Sequence, residues 1–261
     1  MVDNQSVSQE SENISQVSSA PPISDGDGND IHNKILLGLP AKELERFLPK
    51  LEFVRLRVRH VLHESGATLR SAYFVNSGLV SLVSIFPEGK SVEVGLVGKE
   101  GFIGLPLIAG FRTANTQAII QIEASAFRVD ADTLIEILKQ SRMLDLRLQQ
   151  FSQILAMEVT QVAACNRLHE VDERLARWLL MSADRVQSNY VPLTQESIAL
   201  MLGTRRSSVT VAAGMLETAG LISNARGKIG IVDRARLEDA ACACYKLLRK
   251  QLAQWRGELD T

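Results

Sequence analysis

The chain has 261 residues and a net charge of −1, enough for two ordinary domains with their own cores and too neutral overall for a polycation. No apolar run approaches the ~18 residues that span a membrane, and no basic segment followed by an apolar stretch marks secretion. The three cysteines, Cys165, Cys242 and Cys244, suit a reducing cytoplasm rather than a disulfide framework. Charge is uneven along the chain. Residues 1–33 hold six acidic residues and no Lys or Arg, so against the total of −1 the remainder carries +5, a mildly basic balance compatible with phosphate contact.

In chain order, residues 1–30 are rich in Ser, Asn, Gln, Asp and Gly. They cannot bury enough apolar surface to offset ordering, so they read as a disordered tail. Residues 31–50 give a short amphipathic helix pair, the second starting at Leu39-Pro40 with Leu44, Phe47 and Leu48 inward. Residues 51–130 read as many short strands: Ala72–Val75, a turn at Asn76-Ser77-Gly78, Leu79–Phe86, a turn at Pro87-Glu88-Gly89-Lys90, Val92–Val97, then Thr116–Ile122 and Ala126–Val129. Strands at that spacing with glycine turns predict a small antiparallel barrel or jelly roll.

Residues 131–185 are helical. Asp130 or Asp132 caps a short helix, and a longer one carries Leu144, Leu148, Phe151, Leu155, Val159 and Val162 as a narrow seam. That seam predicts a parallel dimer helix, with packing on the chain's own barrel as the competing reading. Leu168–Met181 predicts a further helix.

Thr194–Glu217 is the most informative stretch. Thr194 caps a helix with Glu196 in its first turn, Gly203 stops it, and a second helix runs from Arg205 to Glu217 with Val209, Ala212, Ala213 and Leu216 inward. Counted from Gln195, Ala199, Gly203 and Val209 fall at five, nine and fifteen, the small residue, turn glycine and apolar lock that a crossed helix pair needs. Arg205, Arg206, Ser207, Ser208 and Thr210 then face outward, where a DNA major groove would receive them. A two-stranded wing follows, its tip at Asn224-Ala225-Arg226-Gly227-Lys228, and Asp233 caps one final helix lined by Leu237, Ala241, Cys244, Leu248, Leu252 and Trp255.

The string LTQESIALMLGTRRSSVTVAAGMLETAGLI, with the lead-in HEVDERLARWLLMSADRV, resembles the DNA-binding signature of the Crp/Fnr superfamily of bacterial transcription regulators. The likeness covers residues 34–250. It implies an α+β chain: a disordered tail (1–30), a cyclic-nucleotide-binding-like sensor barrel with jelly-roll topology (31–140), a dimerisation helix (141–166) and a winged helix-turn-helix (167–261). It implies a homodimer on double-stranded DNA in the cytoplasm, with RNA polymerase as a further partner and no membrane.

The resemblance places Arg206 at a common base-contacting position, with Ser207 and Thr210 beside it. Thr194, Gln195, Arg205, Ser208, Arg226 and Lys228 are assigned to phosphates. Ser207 replaces the acidic base reader of the cyclic-AMP-responsive members and Val211 replaces a second Arg, so their operator is not carried over. In those members a Gly-Glu pair precedes an Arg-Ser/Thr-Ala, the Glu taking the ribose hydroxyl and the Arg the phosphate. Arg112-Thr113-Ala114 matches the second half and marks a candidate effector pocket at Arg112 and Thr113. Gly104-Leu105-Pro106 lacks the acidic half, so cyclic nucleotide is disfavoured and no cofactor is expected.

No metal is expected either. Three thiols are too few for an iron–sulfur cluster. Cys242 and Cys244, taken on one helix, diverge by about 200°. His32, His60, His63 and His169 read as isolated, and Glu123, Glu136 and Glu158 as solvated faces. The competing functions are a small-molecule-binding module whose winged domain makes protein contacts, and an enzyme. Arg205-Arg206 speak against the first, and the lack of a nucleophile arrangement, P-loop or H-E-x-x-H against the second.

Overall fold

The computed structural model of the protein describes residues 23–88, 90–225 and 227–259. Two short helices, α1 (Lys34–Leu37) and α2 (Ala41–Phe47), lead into strands β1 (Glu52–Leu56), β2 (Val61–His63), β3 (Ser71–Ile85), β4 (Ser91–Val97), β5 (Phe102–Ile103) and β6 (Gln117–Asp130). These form one antiparallel sheet in the order β1-β6-β3-β4, with β2 also on β6 and β5 also on β3. Then come α3 (Ala131–Gln140), the long α4 (Arg142–Leu168), α5 (Val171–Val186), β7 (Tyr190–Val191), α6 (Gln195–Met201), α7 (Arg206–Thr218), β8 (Ile222–Ala225), β9 (Lys228–Ile231), α8 (Arg234–Ala240) and α9 (Cys244–Leu259).

Several expectations change. Asn76-Ser77-Gly78 does not reverse the chain. It is a bulge inside one fifteen-residue strand, with register shifts on both sides of Ser77, and β6 likewise runs unbroken opposite it. A bulge needs the same backbone freedom as a turn, so the residues look alike in sequence. Gly78 has φ +79°, and a Cβ there would lie 2.2 Å from the Glu123 carbonyl oxygen. The expected turn at 87–90 includes Gly89, which lies outside the described residues, but the chain reverses between its ends, with Phe86 N–H donating to Lys90 O at 2.8 Å.

Residues 24–30 belong to the folded body rather than a disordered tail. Ser24 bridges Asp30, and the Asn76 side chain donates to Asp30 O and accepts from His32 N–H at 2.7 Å. Residues 1–22 of that expected tail lie outside the described residues. Buried Asn33 continues the tie: its Oδ1 caps α1, and its Nδ2 donates to the Val75 and Gly101 carbonyls at 2.7 and 2.8 Å. Leu168 ends α4 and is exposed rather than opening the next helix, and the expected final helix breaks at residues 241–243 into α8 and α9. The side chain of Trp255 lies outside those described.

The long-helix seam packs on its own barrel. Leu144, Leu148, Phe151 and Leu155 are at most 8% exposed and join one core with Phe74, Phe102 and Phe127, with Val159 packed against it. A second core unites α5, α6, α7 and α8 with Leu79, Val83 and Leu96 of the barrel, so the two lobes are joined by apolar contact. A polar knot reinforces the joint. Arg185 of α5 is buried between Glu100 at 2.9 Å and Glu158 at 2.7 Å. Glu158, expected on a solvated face, is therefore an interior ion-pair partner, whereas Glu123 and Glu136 are exposed.

Candidate nucleic-acid interface

Thr194 caps α6, its Oγ1 accepting from Ser197 N–H at 3.2 Å. Ala199 and Val209 are buried and Gly203 takes φ +60°, so the small residue, the lock and the turn glycine fall where the spacing places them. Val209, Ala212, Ala213 and Leu216 are all buried, which fixes the opposite side of α7 as the free face. That face presents Arg206, Ser207, Thr210, Val211 and Met215 to solvent, with Arg205 exposed as the residue that caps the helix start and Ser208 half-buried.

Not every side chain on this face is free. The Thr210 hydroxyl donates to Gln195 Oε1 at 2.8 Å and to Arg206 O at 3.0 Å, locking the two helices together. Val211 and Met215 are 64% and 56% exposed, an apolar patch in the middle of a polar face that sequence reasoning treated only as the loss of an Arg. Glu170 and Asp172 flank the same surface beside Ser207 and Val211.

The wing is a three-stranded sheet, β7-β9-β8, not two-stranded: Tyr190 and Val191 pair with Gly230 and Ile229. Lys228 is exposed at its tip. Arg226 lies outside the described residues.

Models of two protein families match this chain, the Crp-like helix-turn-helix domain over residues 173–240 and the cyclic nucleotide-binding domain over residues 53–156. The chain belongs to the Crp/Fnr superfamily. It is a transcription regulator of the Crp family with a helix-turn-helix DNA-binding domain. Transcriptional regulator LdrP of Thermus thermophilus is 26% identical over 200 residues, covering 72% of this chain and 95% of its own length. Two solved structures share the fold. A Crp-family transcriptional regulator from Thermus thermophilus has TM-score 0.63 and 23% identity, over 72% of this chain and 96% of its own. A putative Crp/Fnr regulator from Eubacterium rectale has TM-score 0.64 and 19% identity, over 80% and 98%.

The interior of the barrel is the second candidate site. A cavity of about 540 Å³ lies there, between Phe102, Ile103, Leu105 and Pro106 on one side and Ser152, Ala156 and Thr160 of α4 on the other. No Arg, Lys, Asp or Glu is among its described lining residues. Arg112 does not line it: its guanidinium pairs with Asp132 on the surface, and exposed Thr113 bridges Thr68. His63 does line it, and its buried Nε2 has no hydrogen-bond partner. Burial lowers the His63 pKa below its usual value, so the ring enters the cavity neutral. His60 precedes β2, so the two histidines do not share a strand. A larger cavity of about 590 Å³ lies between the lobes, but its arginines are already spent: Arg185 on Glu100 and Glu158, Arg234 on Asp184 and Glu238, Arg249 on Glu238.

Proposed function

We propose that the chain is a cytoplasmic, sequence-specific regulator that reads a two-fold-symmetric operator as a homodimer and contacts RNA polymerase from it. The observation that carries this is the free face of α7: two adjacent arginines at the helix start, over a fully buried opposite side. Arg206 pairs with guanine through two hydrogen bonds, worth about 1–3 kcal/mol of discrimination. Ser207 and Thr210 touch base edges. Thr194, Gln195, Arg205, Ser208, Arg226 and Lys228 hold phosphates and set the register. Exposed Val211 and Met215 add an apolar reader, whose chemical counterpart in the major groove is the thymine methyl group.

The dimer uses the exposed flank of α4 beside the face that packs on its own barrel. Leu146, Gln149, Gln153, Ala156, Thr160 and Ala163 are exposed there at three- and four-residue steps. Ala156 and Thr160 also line the barrel cavity, so a second copy on this strip would roof it. A cyclic nucleotide brings a phosphate anion, and the cavity offers it no cation. The effector, if the barrel takes one, is compact and mainly apolar, with one polar atom for His63. Selection of bound sequences from random DNA tests the reading. A palindrome enriched without cyclic AMP supports it, and equal retention of all duplexes at moderate salt overturns it.

A further inference from the structure

The three cysteines, distant in sequence, meet at the corner where the long helix ends. Cys165 sits in the last turns of α4 and His169, one turn on, is its C-terminal cap. Cys242 and Cys244 are not on one helix. Cys242 lies in the break between α8 and α9 and Cys244 is the first residue of α9, and the break lets both thiols reach one point. The three Sγ atoms and a ring nitrogen of His169 all lie within 4.8 Å of one another. Cys165 Sγ is 3.4 Å from Cys242 Sγ, and Cys244 Sγ is 3.6 Å from His169 Nδ1.

A tetrahedral ion with bonds of about 2.3 Å to sulfur and about 2.0–2.1 Å to nitrogen holds its ligand atoms roughly 3.5–3.8 Å apart. The donor set is soft, three thiols and an imidazole with no carboxylate, which selects zinc-like ions over calcium or magnesium. Ligands this close surround a single ion rather than a multi-iron cluster.

The surroundings fit thiolates. Buried Arg177 and Arg174 both act electrostatically on Cys165 and Cys242, and the Nε of each is buried without a hydrogen-bond partner. Three thiolates, a neutral imidazole and a divalent ion sum to a single negative charge, for which these guanidiniums are the counterions. Gln161 Nε2 lies 3.1 Å from Cys244 Sγ, the position of an outer hydrogen bond to a metal-bound sulfur.

We propose that Cys165, His169, Cys242 and Cys244 bind one divalent ion of the zinc class in a closed structural site. Its effect is mechanical. It fastens the end of α4, and with it the α4–α5 joint, to the α8–α9 corner, so the reading head is held at a set angle on the stalk. Loading takes the proton from each thiol that still carries one and releases it to solvent.

The test uses the full chain, purified under reduction without chelator or affinity metal. Elemental analysis is expected to find one zinc per chain. Replacement by cobalt is expected to give the visible bands of a tetrahedral thiolate-bound ion, a readout needing no mutation. Cys242→Ser and His169→Ala are expected to lose the metal, and Gln161→Leu to bind it about 10–100-fold more weakly. A reduced wild-type chain that holds no zinc and develops no cobalt bands overturns the proposal. So does recovery of Cys165 and Cys242 as a disulfide, or an iron–sulfur absorption spectrum.

Discussion

Arg206 and Gly203 illustrate how single residues divide labour in the reading head. The Arg206 side chain is exposed and makes no hydrogen bond or ion pair among the described residues. Arg206→Ala is therefore expected to leave the thermal midpoint unchanged while lowering specific affinity by about 1–3 kcal/mol, roughly 5–150-fold, with non-specific binding nearly intact. Competitive gel shifts against an operator and a scrambled duplex check this, and unchanged discrimination would sink the base-reading assignment. Gly203 does the opposite. Its φ of +60° disfavours any side chain, and an added Cβ would lie 2.9 Å from Val92 Cγ2 of the barrel. Gly203→Ala should cost about 1–2 kcal/mol from backbone conformation alone, plus a steric part that Val92→Ala relieves. Chemical denaturation of the single and double variants separates the two contributions.

At the scale of elements, α4 carries two messages on two faces. Leu148 is wholly buried in the barrel core, so Leu148→Ala should destabilise the fold by about 2–5 kcal/mol without changing the association state of what remains folded. Ala156 is exposed on the flanking strip. Ala156→Arg should leave the monomer fold near its original stability and split the dimer, because it sets two like charges across the seam. Sedimentation of both variants distinguishes the faces, and a dimer that survives Ala156→Arg would remove the strip from the interface. The apolar seam was visible in sequence as a clean periodicity. Its partner was not, because hydrophobic spacing states that a face is buried and is silent about what buries it. The bulge at Asn76-Ser77-Gly78 and the helix break at 241–243 were missed for a related reason: local propensity reports backbone freedom, and only neighbouring strands and helices decide how that freedom is used.

At the scale of the whole molecule, the lobes meet through Glu93. This carboxyl is fully buried, takes hydrogen bonds from Ser81 and from Trp178 Nε1 at 2.7 Å, and faces Arg177 and Glu158. Burial raises its pKa from 4.5 to about 7, against the lowering effect of those hydrogen bonds and of Arg177. The folded state thus holds the proton more tightly than the unfolded state. The stabilisation is complete below the ordinary carboxylate range, declines as pH rises, and is gone once pH passes through about 7. We expect the chain to lose on the order of a few kcal/mol over that window, and Glu93→Gln to flatten the profile. Denaturant midpoints measured across the window check this, and a Gln variant as pH-dependent as the wild type would exclude Glu93 as the source.

The sequence by itself determined the reading head, the alternating barrel and the long helix. These rest on local signals: caps, a turn glycine, and periods of two and of three to four residues. The tertiary structure alone decided that the long-helix seam faces its own barrel, that Arg112 lies outside the cavity while His63 lines it, that Arg185 is clamped between Glu100 and Glu158, and that three scattered cysteines and His169 share one corner. Each of these depends on residues far apart in the chain being brought within a few ångströms, and chain distance carries no record of that proximity until the two lobes have packed.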